Sequence, residues 1–140
     1  MTISQIFLDE RSTDREAVLA NAARAAAGLD AIGVREGDTV ALLLRNDFAF
    51  IEATQACALL GAYCVPINWH GKPDDVSYIL NDVKARVLVA HADLIAPVRP
   101  THKSHYPLTP MENYIRWRHA GEADAPFDPW LRTQDRKSVV

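Results

Sequence analysis

The chain of 140 residues is poor in the residues that hold very small proteins together covalently. Its only cysteines, Cys57 and Cys64, both lie in apolar stretches. We therefore expect two buried, reduced thiols that act as small hydrophobic side chains. A disulfide or redox pair is the alternative, although the rest of the sequence is typical of a cytosolic protein, in which disulfides are rare. A chain of this length can bury an adequate core without disulfides or metals.

Long hydrophobic runs and a charge excess of one sign are also absent. No apolar run approaches the length of a membrane span, and the first residues lack the basic and apolar regions of a secretory signal. Fifteen basic and eighteen acidic side chains are interspersed and give a net charge of −3. We therefore expect a cytoplasmic protein with no transmembrane segment and no nucleic-acid partner.

Glycine-rich phosphate loops are missing from the two turns where a site would be expected. Ligands of α/β sheets bind beyond the carboxyl ends of the strands, and the turn at 45–47 follows the first predicted strand. That turn has no glycine to let backbone amides approach a phosphate. The turn at 68–72 follows the second strand and holds Asn68, Trp69 and His70, which we interpret as a structured turn with an aromatic plug.

Metal ligands and catalytic nucleophiles have no recognisable arrangement. His102 and His105 have a spacing that could bind zinc on a helix, but no third ligand matches and the segment is bounded by prolines. His91 and His119 are interpreted as surface residues, and no serine lies on a nucleophile turn. The aromatic residues of the tail are expected to be packing anchors: Trp117, Phe127 and Trp130. We assign no catalytic, cofactor-binding or metal-binding residue.

Helices and strands alternate from residue 13 to residue 91. Thr13 and Glu16 form a capping-box pattern that predicts the start of the first helix. Two further helices are predicted at 48–60, capped by Asp47, and at 73–82. The three apolar strands are predicted at 39–44, 63–67 and 86–90. This order predicts an α/β fold, a small and mostly parallel sheet with helices on both faces.

The composition changes near residue 95, which divides the chain into two parts. Residues 1–95 are predicted to form a partial α/β N-terminal subdomain. Residues 96–140 form a proline-rich tail that contains six of the eight prolines. One short helix is predicted there, with Thr109 as its cap and Pro110 at its first position.

Residues 33–90 carry an ordered series of motifs. They are, in order, G-V-x-x-G-D-x-V-A, L-G-A, V-P-I-N, P-x-x-x-x-Y-I-L and A-R-V-L-V. The series resembles the N-terminal region of AMP-forming acyl-CoA synthetases, which are members of the adenylate-forming ligases. The resemblance covers roughly residues 13–95. In the tail, the stretch F-D-P-W-L-R-T-Q is similar to a segment that precedes the phosphate loop of these enzymes.

The resemblance implies that the whole enzyme activates a fatty or other carboxylic acid with ATP and magnesium, then transfers the acyl group to coenzyme A. The Gly-x-Pro-Lys-Gly phosphate loop and the C-terminal catalytic lysine of the family do not occur in this sequence. We therefore expect an N-terminal fragment that is inactive alone and holds no cofactor. One alternative is a binding or interaction module that retains only the scaffold. Another is a small α/β enzyme that uses the turns at 45–47 and 68–72.

Self-association is the expected partnership. The helix at 48–60 and the three strands are apolar enough to need cover on every side. If part of that cover is missing, an exposed apolar surface should favour a homo-oligomer.

Overall fold

The computed structural model describes residues 4–95, 97–98 and 115–116. The chain begins with a hairpin of β1 (Gln5–Leu8) and β2 (Arg11–Asp14), in which Gln5 lies opposite Asp14 and Leu8 opposite Arg11. Asp9 takes a left-handed φ of 54° in the turn, a conformation that aspartate tolerates better than most residues. The sequence analysis did not predict this hairpin.

The first helix, α1 (Arg15–Ala31), is capped by Asp14, whose side chain accepts a hydrogen bond from the Ala17 amide at 2.7 Å. The prediction that Thr13 forms the cap was wrong. Thr13 lies in β2, opposite Ile6, so strand pairing holds its backbone in the hairpin. The cap position falls on the next residue, Asp14. Aspartate is at least as good a cap as threonine, and the start of the helix therefore moves by a single position.

The predicted parallel sheet is confirmed. Its strands are β3 (Thr39–Leu43), β4 (Tyr63–Pro66) and β5 (Val87–Ala90), and the connecting helices are α2 (Phe48–Leu60) and α3 (Pro73–Asp82). β3 is central and pairs in parallel with β4 on one side and with β5 on the other. Pro66 ends the edge strand β4, a position that suits a residue without a backbone N–H.

A short strand, β6 (Ile115–Arg116), pairs in parallel with the outer side of β5. The helix predicted in the tail is therefore wrong at these two residues. A capping pattern is local, whereas the open edge of β5 offers backbone hydrogen bonds that the pattern cannot reveal. The other residues of the predicted helix, including Thr109 and Pro110, lie outside the described part of the chain.

Helices cover both faces of the sheet, as the sequence predicts. Val40, Leu42 and Leu44 point to one face and pack in a cluster with buried residues of α1 and α2. Ala41 and Leu43 point to the other face, where they pack with α3 and with Ile95. Ile95 ends the short helix α4 (Ala92–Ile95). The alternation of side chains along β3 thus divides the core into two layers.

The apolar helix α2 carries one charged residue, Glu52, and this carboxylate is buried with 4% of its surface exposed. Asn21 of α1 donates a hydrogen bond from Nδ2 to Glu52 Oε1 at 2.7 Å. Because a buried polar group is costly without a partner, this bond explains how a carboxylate is accommodated between α1 and α2.

Gly61 ends α2 in the left-handed conformation, with φ of 67°. This backbone conformation suits a residue without a side chain and is common at the end of a helix. In the part of the chain that the structure describes, no helix is both long and apolar enough to cross a membrane.

The doubly covered sheet makes a prediction about core substitutions. We expect Leu42→Ala and Leu43→Ala each to lower the free energy of unfolding by about 3 kcal/mol, since both side chains are buried, on opposite faces. Urea denaturation followed by circular dichroism measures the change. Leu59→Ala is the control, because Leu59 is 62% exposed and should cost well under about 1 kcal/mol. If Leu43→Ala lowered the free energy of unfolding much less than Leu42→Ala, the sheet face that carries Leu43 would not be covered as described.

Candidate functional site

The carboxyl ends of the parallel strands bring the two turns singled out in the sequence to the same edge of the sheet. Arg45 follows β3, Trp69 and His70 follow β4, and His91 follows β5. Asp93 lies in the first turn of α4. We call these five residues the sheet-edge cluster. Its position is the one at which doubly wound sheets commonly bind ligands.

Arg45 is the centre of the sheet-edge cluster. Its guanidinium donates from Nη1 to Asp93 Oδ1 at 3.0 Å and from Nη2 to Asp93 Oδ2. These bonds lower the pKa of Asp93, although partial burial opposes the shift, and they raise the pKa of Arg45. The Asp93 side chain is 65% exposed, so solvent screening keeps the energy of the pair small despite its two-pronged geometry.

Trp69 supports the same guanidinium from another side. The Arg45 guanidinium carbon lies 5.3 Å from the centroid of the Trp69 ring, a cation–π distance. The Trp69 ring also stacks on His70, with centroids 3.5 Å apart, and it packs against the core layer that contains Ala41 and Leu43. Trp69 therefore acts as the aromatic plug that the sequence predicts.

His91 joins the cluster through the backbone. Its Nδ1 accepts a hydrogen bond from the Arg45 amide at 3.2 Å, and its own amide donates to the Leu43 carbonyl at 3.3 Å. An accepting Nδ1 carries no proton, so the neutral ring has its proton on Nε2. His91 is half-buried and links the end of β5 to the end of β3.

The remaining residues of the two turns have structural roles. Asn68 Oδ1 accepts from the His70 amide at 3.0 Å and closes the turn after β4. Asp47 Oδ1 accepts from the Phe48 amide at 2.6 Å and caps α2, as predicted. The other carboxylate oxygen of Asp47, Oδ2, accepts a hydrogen bond from Arg11 Nη2 of the hairpin at 3.2 Å. Arg11 lies over the Phe48 ring as well.

These contacts hold the turns after the three strands together at the carboxyl edge of the sheet. The charged groups of Arg45 and Asp93 neutralise each other, and no serine or cysteine belongs to the cluster. In the described ranges, no group of three or more His, Cys, Asp or Glu side chains could hold a metal ion. The predicted assignment of no catalytic residue stays a prediction. His102, His105, His119 and the aromatic residues of the tail lie outside the described residues.

A shallow groove of about 200 Å³ lies between the hairpin and the start of α2. It is lined mainly by apolar side chains, among them Ile6, Phe7, Phe50 and Ile51. Phe7 is 69% exposed at its rim. Sequence reasoning missed this groove because it missed the hairpin that forms one wall.

Comparison with known proteins finds one family across most of the chain. Residues 5–133 match the family model described as AMP-binding enzyme. The chain is 37% identical over 92 residues to the medium/long-chain-fatty-acid–CoA ligase FadD6 of Mycobacterium tuberculosis, covering 66% of this chain and 15% of that protein. It is 36% identical over 109 residues to a feruloyl-CoA synthase of an Amycolatopsis species, and the match covers 76% of this chain and 20% of that protein.

Solved structures agree with these relatives. The anthranilate CoA ligase AuaEII, solved with anthranoyl-AMP, superposes with a TM-score of 0.68 at 29% identity and covers 79% of this chain. The match takes in 21% of the AuaEII chain. The present chain thus spans about a fifth or less of the length of these similar proteins.

The Arg45–Asp93 pair predicts a small stabilisation that disappears in acid. A double-mutant cycle with Arg45→Gln and Asp93→Asn should give a coupling of about 0.5–1 kcal/mol at pH 7. Because the folded pKa of Asp93 is lowered, the coupling is complete above the unfolded carboxyl pKa of about 3.9 and declines as pH falls below it. Urea unfolding at several pH values measures it. A coupling that is unchanged in acid would contradict the ion pair.

Proposed function

Because the chain belongs to the family of AMP-binding enzymes, we propose that it forms part of the N-terminal scaffold of an adenylate-forming acyl-CoA ligase. The single observation that carries this proposal is the family match over residues 5–133. The parallel sheet with its order β4-β3-β5-β6 supports it, since similar folds occur in solved CoA ligases. The activity of the whole protein is then the joining of a carboxylic acid to coenzyme A.

In the proposed reaction, the carboxylate of the acid attacks the α-phosphate of ATP and pyrophosphate leaves. The thiol of coenzyme A next attacks the acyl carbonyl of the adenylate and AMP leaves. ATP and coenzyme A are therefore the substrates that accompany the acid, and magnesium is the metal that the reaction implies. The metal would neutralise phosphate charge.

The described residues do not fit ATP or magnesium. The N-terminus of a helix can attract phosphate, but Asp47 already accepts the first amide of α2. Asp74 and Asp75 lie in the first turn of α3 and add negative charge there. Lys72 precedes that helix without a glycine-rich loop beside it. We propose that these 140 residues do not form an acyl-adenylate by themselves and derive no catalytic step from them.

The contribution of this chain is mechanical support. The sheet-edge cluster fastens the turns after β3 and β4 to the first turn of α4, through Arg45, Trp69 and Asp93. Such a rigid edge suits a site whose reactive groups are held elsewhere in the same enzyme. The similar proteins named above include a fatty-acid ligase and a feruloyl-CoA synthase, so fatty and hydroxycinnamic acids are the substrate classes to test.

A cytoplasmic location is also proposed. Cys57 and Cys64 form no disulfide in the structure, and unpaired thiols persist most readily in a reducing compartment.

A second candidate, a binding module that retains only the scaffold, is favoured by one observation. The groove beside Phe7 is apolar and open, which is the character of a contact surface. The nucleotide sequence that follows the codon for Val140 separates the two candidates. A serine-, threonine- and glycine-rich loop ending in Gly-x-Pro-Lys-Gly, encoded in any reading frame, would support the ligase origin.

Pyrophosphate exchange tests the proposed inactivity of the chain alone. The purified 140-residue chain is mixed with magnesium, ATP and a panel of fatty and hydroxycinnamic acids. We expect its rate of pyrophosphate exchange to stay at background. Calorimetry with magnesium and ATP should give no binding heat at sub-millimolar concentrations, since no donors converge on phosphate in the described residues. A full-length feruloyl-CoA synthase is the positive control. Exchange that is clear in this chain and lost in Lys72→Ala would overturn the proposal.

We further propose that copies of the chain associate through exposed apolar residues at the connection between α2 and β4. Leu59 is 62% exposed there and Tyr63 is 68% exposed. Light scattering on concentrated protein should show a dimer or larger species, and the double variant Leu59→Asp, Tyr63→Asp should shift it toward monomer. Tyr78→Asp is the control, as Tyr78 is 69% exposed on α3. A wild-type chain that stays monomeric at high concentration would contradict this proposal.

A further inference from the structure

The two cysteines meet where α2 turns back into the edge of the sheet. Cys57 lies near the end of α2 and Cys64 is the second residue of β4. The left-handed Gly61 reverses the chain between them, and the Ala62 amide donates to the Cys57 carbonyl at 3.0 Å. This reversal directs β4 back alongside the helix. Cys64 packs against the core layer that contains Cys57.

Cys57 and Cys64 lie in the same core layer, and each thiol shifts the pKa of the other. A third group, Thr54, lies one turn before Cys57 on α2, with its Oγ1 3.9 Å from Cys64 Sγ. The same hydroxyl is 2.8 Å from the Phe50 carbonyl. A hydroxyl has one hydrogen, so Thr54 can donate to only one of these acceptors at a time.

The two thiols differ in exposure and in acidity. Cys57 is fully buried, whereas Cys64 is only half-buried on the edge strand. The hydrogen bond from Cys57, helped by Thr54, lowers the pKa of Cys64 to about 7 against the opposing effect of burial. That same hydrogen bond and burial raise the pKa of Cys57. Cys64 thus has the thiolate character and access of an attacking thiol, and Cys57, packed in the same core layer, is the neighbouring thiol that can resolve it.

We propose that Cys57 and Cys64 form a reversible oxidation site that takes hydrogen peroxide as its oxidant. The Cys64 thiolate attacks one peroxide oxygen, the O–O bond breaks, and the departing hydroxide takes up a proton to become water. Cys64 is left as a sulfenic acid. Cys57 then loses its proton and attacks the Cys64 sulfur, the S–O bond breaks, and a second water leaves. Two thiols lose two electrons, and one peroxide is reduced to two waters.

The fold allows the disulfide to close and to reopen. The two free sulfurs must approach each other to form a covalent bond. Among the described strands, β4 pairs only with β3, so this edge can shift with little loss of backbone hydrogen bonding. A small dithiol reverses the reaction by thiol–disulfide exchange. The site uses only residues of this chain and does not rest on the proposed ligase function.

Peptide mapping tests the proposal on the complete 140-residue chain. The reduced protein is treated with a small excess of hydrogen peroxide, quenched in acid, alkylated after unfolding and digested with chymotrypsin. Cleavage after Tyr63 separates the two cysteines. We expect linked peptides from one molecule, a protein mass lower by two hydrogens, and full reversal by dithiothreitol.

Two variants assign the roles. In Cys57→Ser the reaction should stop at a Cys64 sulfenic acid that dimedone traps. In Cys64→Ser the buried Cys57 should stay reduced over the same time. Equal oxidation of Cys57 in that variant, or a wild-type disulfide found only between two molecules, would overturn the proposal. So would Cys64 that proceeds to sulfinic acid while Cys57 stays alkylatable.

The wild-type protein offers a further measurement that does not depend on the folding of a variant. The rate of Cys64 alkylation by iodoacetamide should be half-maximal near pH 7, where its thiolate is half-formed. An unperturbed cysteine reaches half-maximum at about pH 8.5. A midpoint at the unperturbed value would contradict the assignment of Cys64 as the attacking thiol.

Discussion

The complete burial of β3 is the constraint on which the rest of the structure depends. Every residue from Val40 to Leu44 is at most 2% exposed. Such a strand requires a partner strand on each edge and a layer of helix on each face. β4 and β5 provide the edges, α1 and α2 provide one face, and α3 with α4 provides the other. The right-handed crossovers of parallel strands then leave few other ways to connect these elements.

The burial of β3 also limits where charged and polar side chains can be placed on the sheet. Because β3 carries only apolar side chains after Thr39, its first charged group is Arg45, just beyond the strand. The neighbouring strands are in parallel register, so their following turns reach the same place and supply Trp69 and His91. The result is a neutralised and fastened edge. In the scaffold role proposed above, such an edge would keep these turns in fixed positions.

Local signals predicted the elements that depend on local interactions. Asp47, Gly61 and Pro73 mark helix ends through backbone conformation and capping, which neighbouring residues determine. The wrong predictions concern residues whose structure depends on partners distant in the sequence. Thr13 was displaced as a cap by the pairing of β2 with β1, and Ile115–Arg116 joined the edge of β5.

The contacts between distant residues could not be predicted either. The bond between Arg45 and Asp93, and the place of His91 beside it, exist only once the strands are paired. The packing of Cys57 and Cys64 in one core layer needs the chain reversal at Gly61 as well as the apolar setting. From the sequence, these thiols were expected to act as small hydrophobic side chains, with a disulfide or redox pair as the alternative. Composition and spacing indicate whether a side chain lies in an apolar or a polar stretch, but they do not identify the distant side chain that it contacts in the fold.

The central position of β3 also has a consequence for synthesis on the ribosome. Thr39 emerges well before Tyr63, its partner in β4, and longer still before the residues of β5 that complete its other edge. During that interval, lasting on the order of seconds at ordinary rates of translation, an apolar strand has no edge partner. The alanine-rich α1 is complete by then and can shield one face. The early helix is therefore available to cover one face of the nascent strand, the face on which it shares a core layer with β3 in the finished fold.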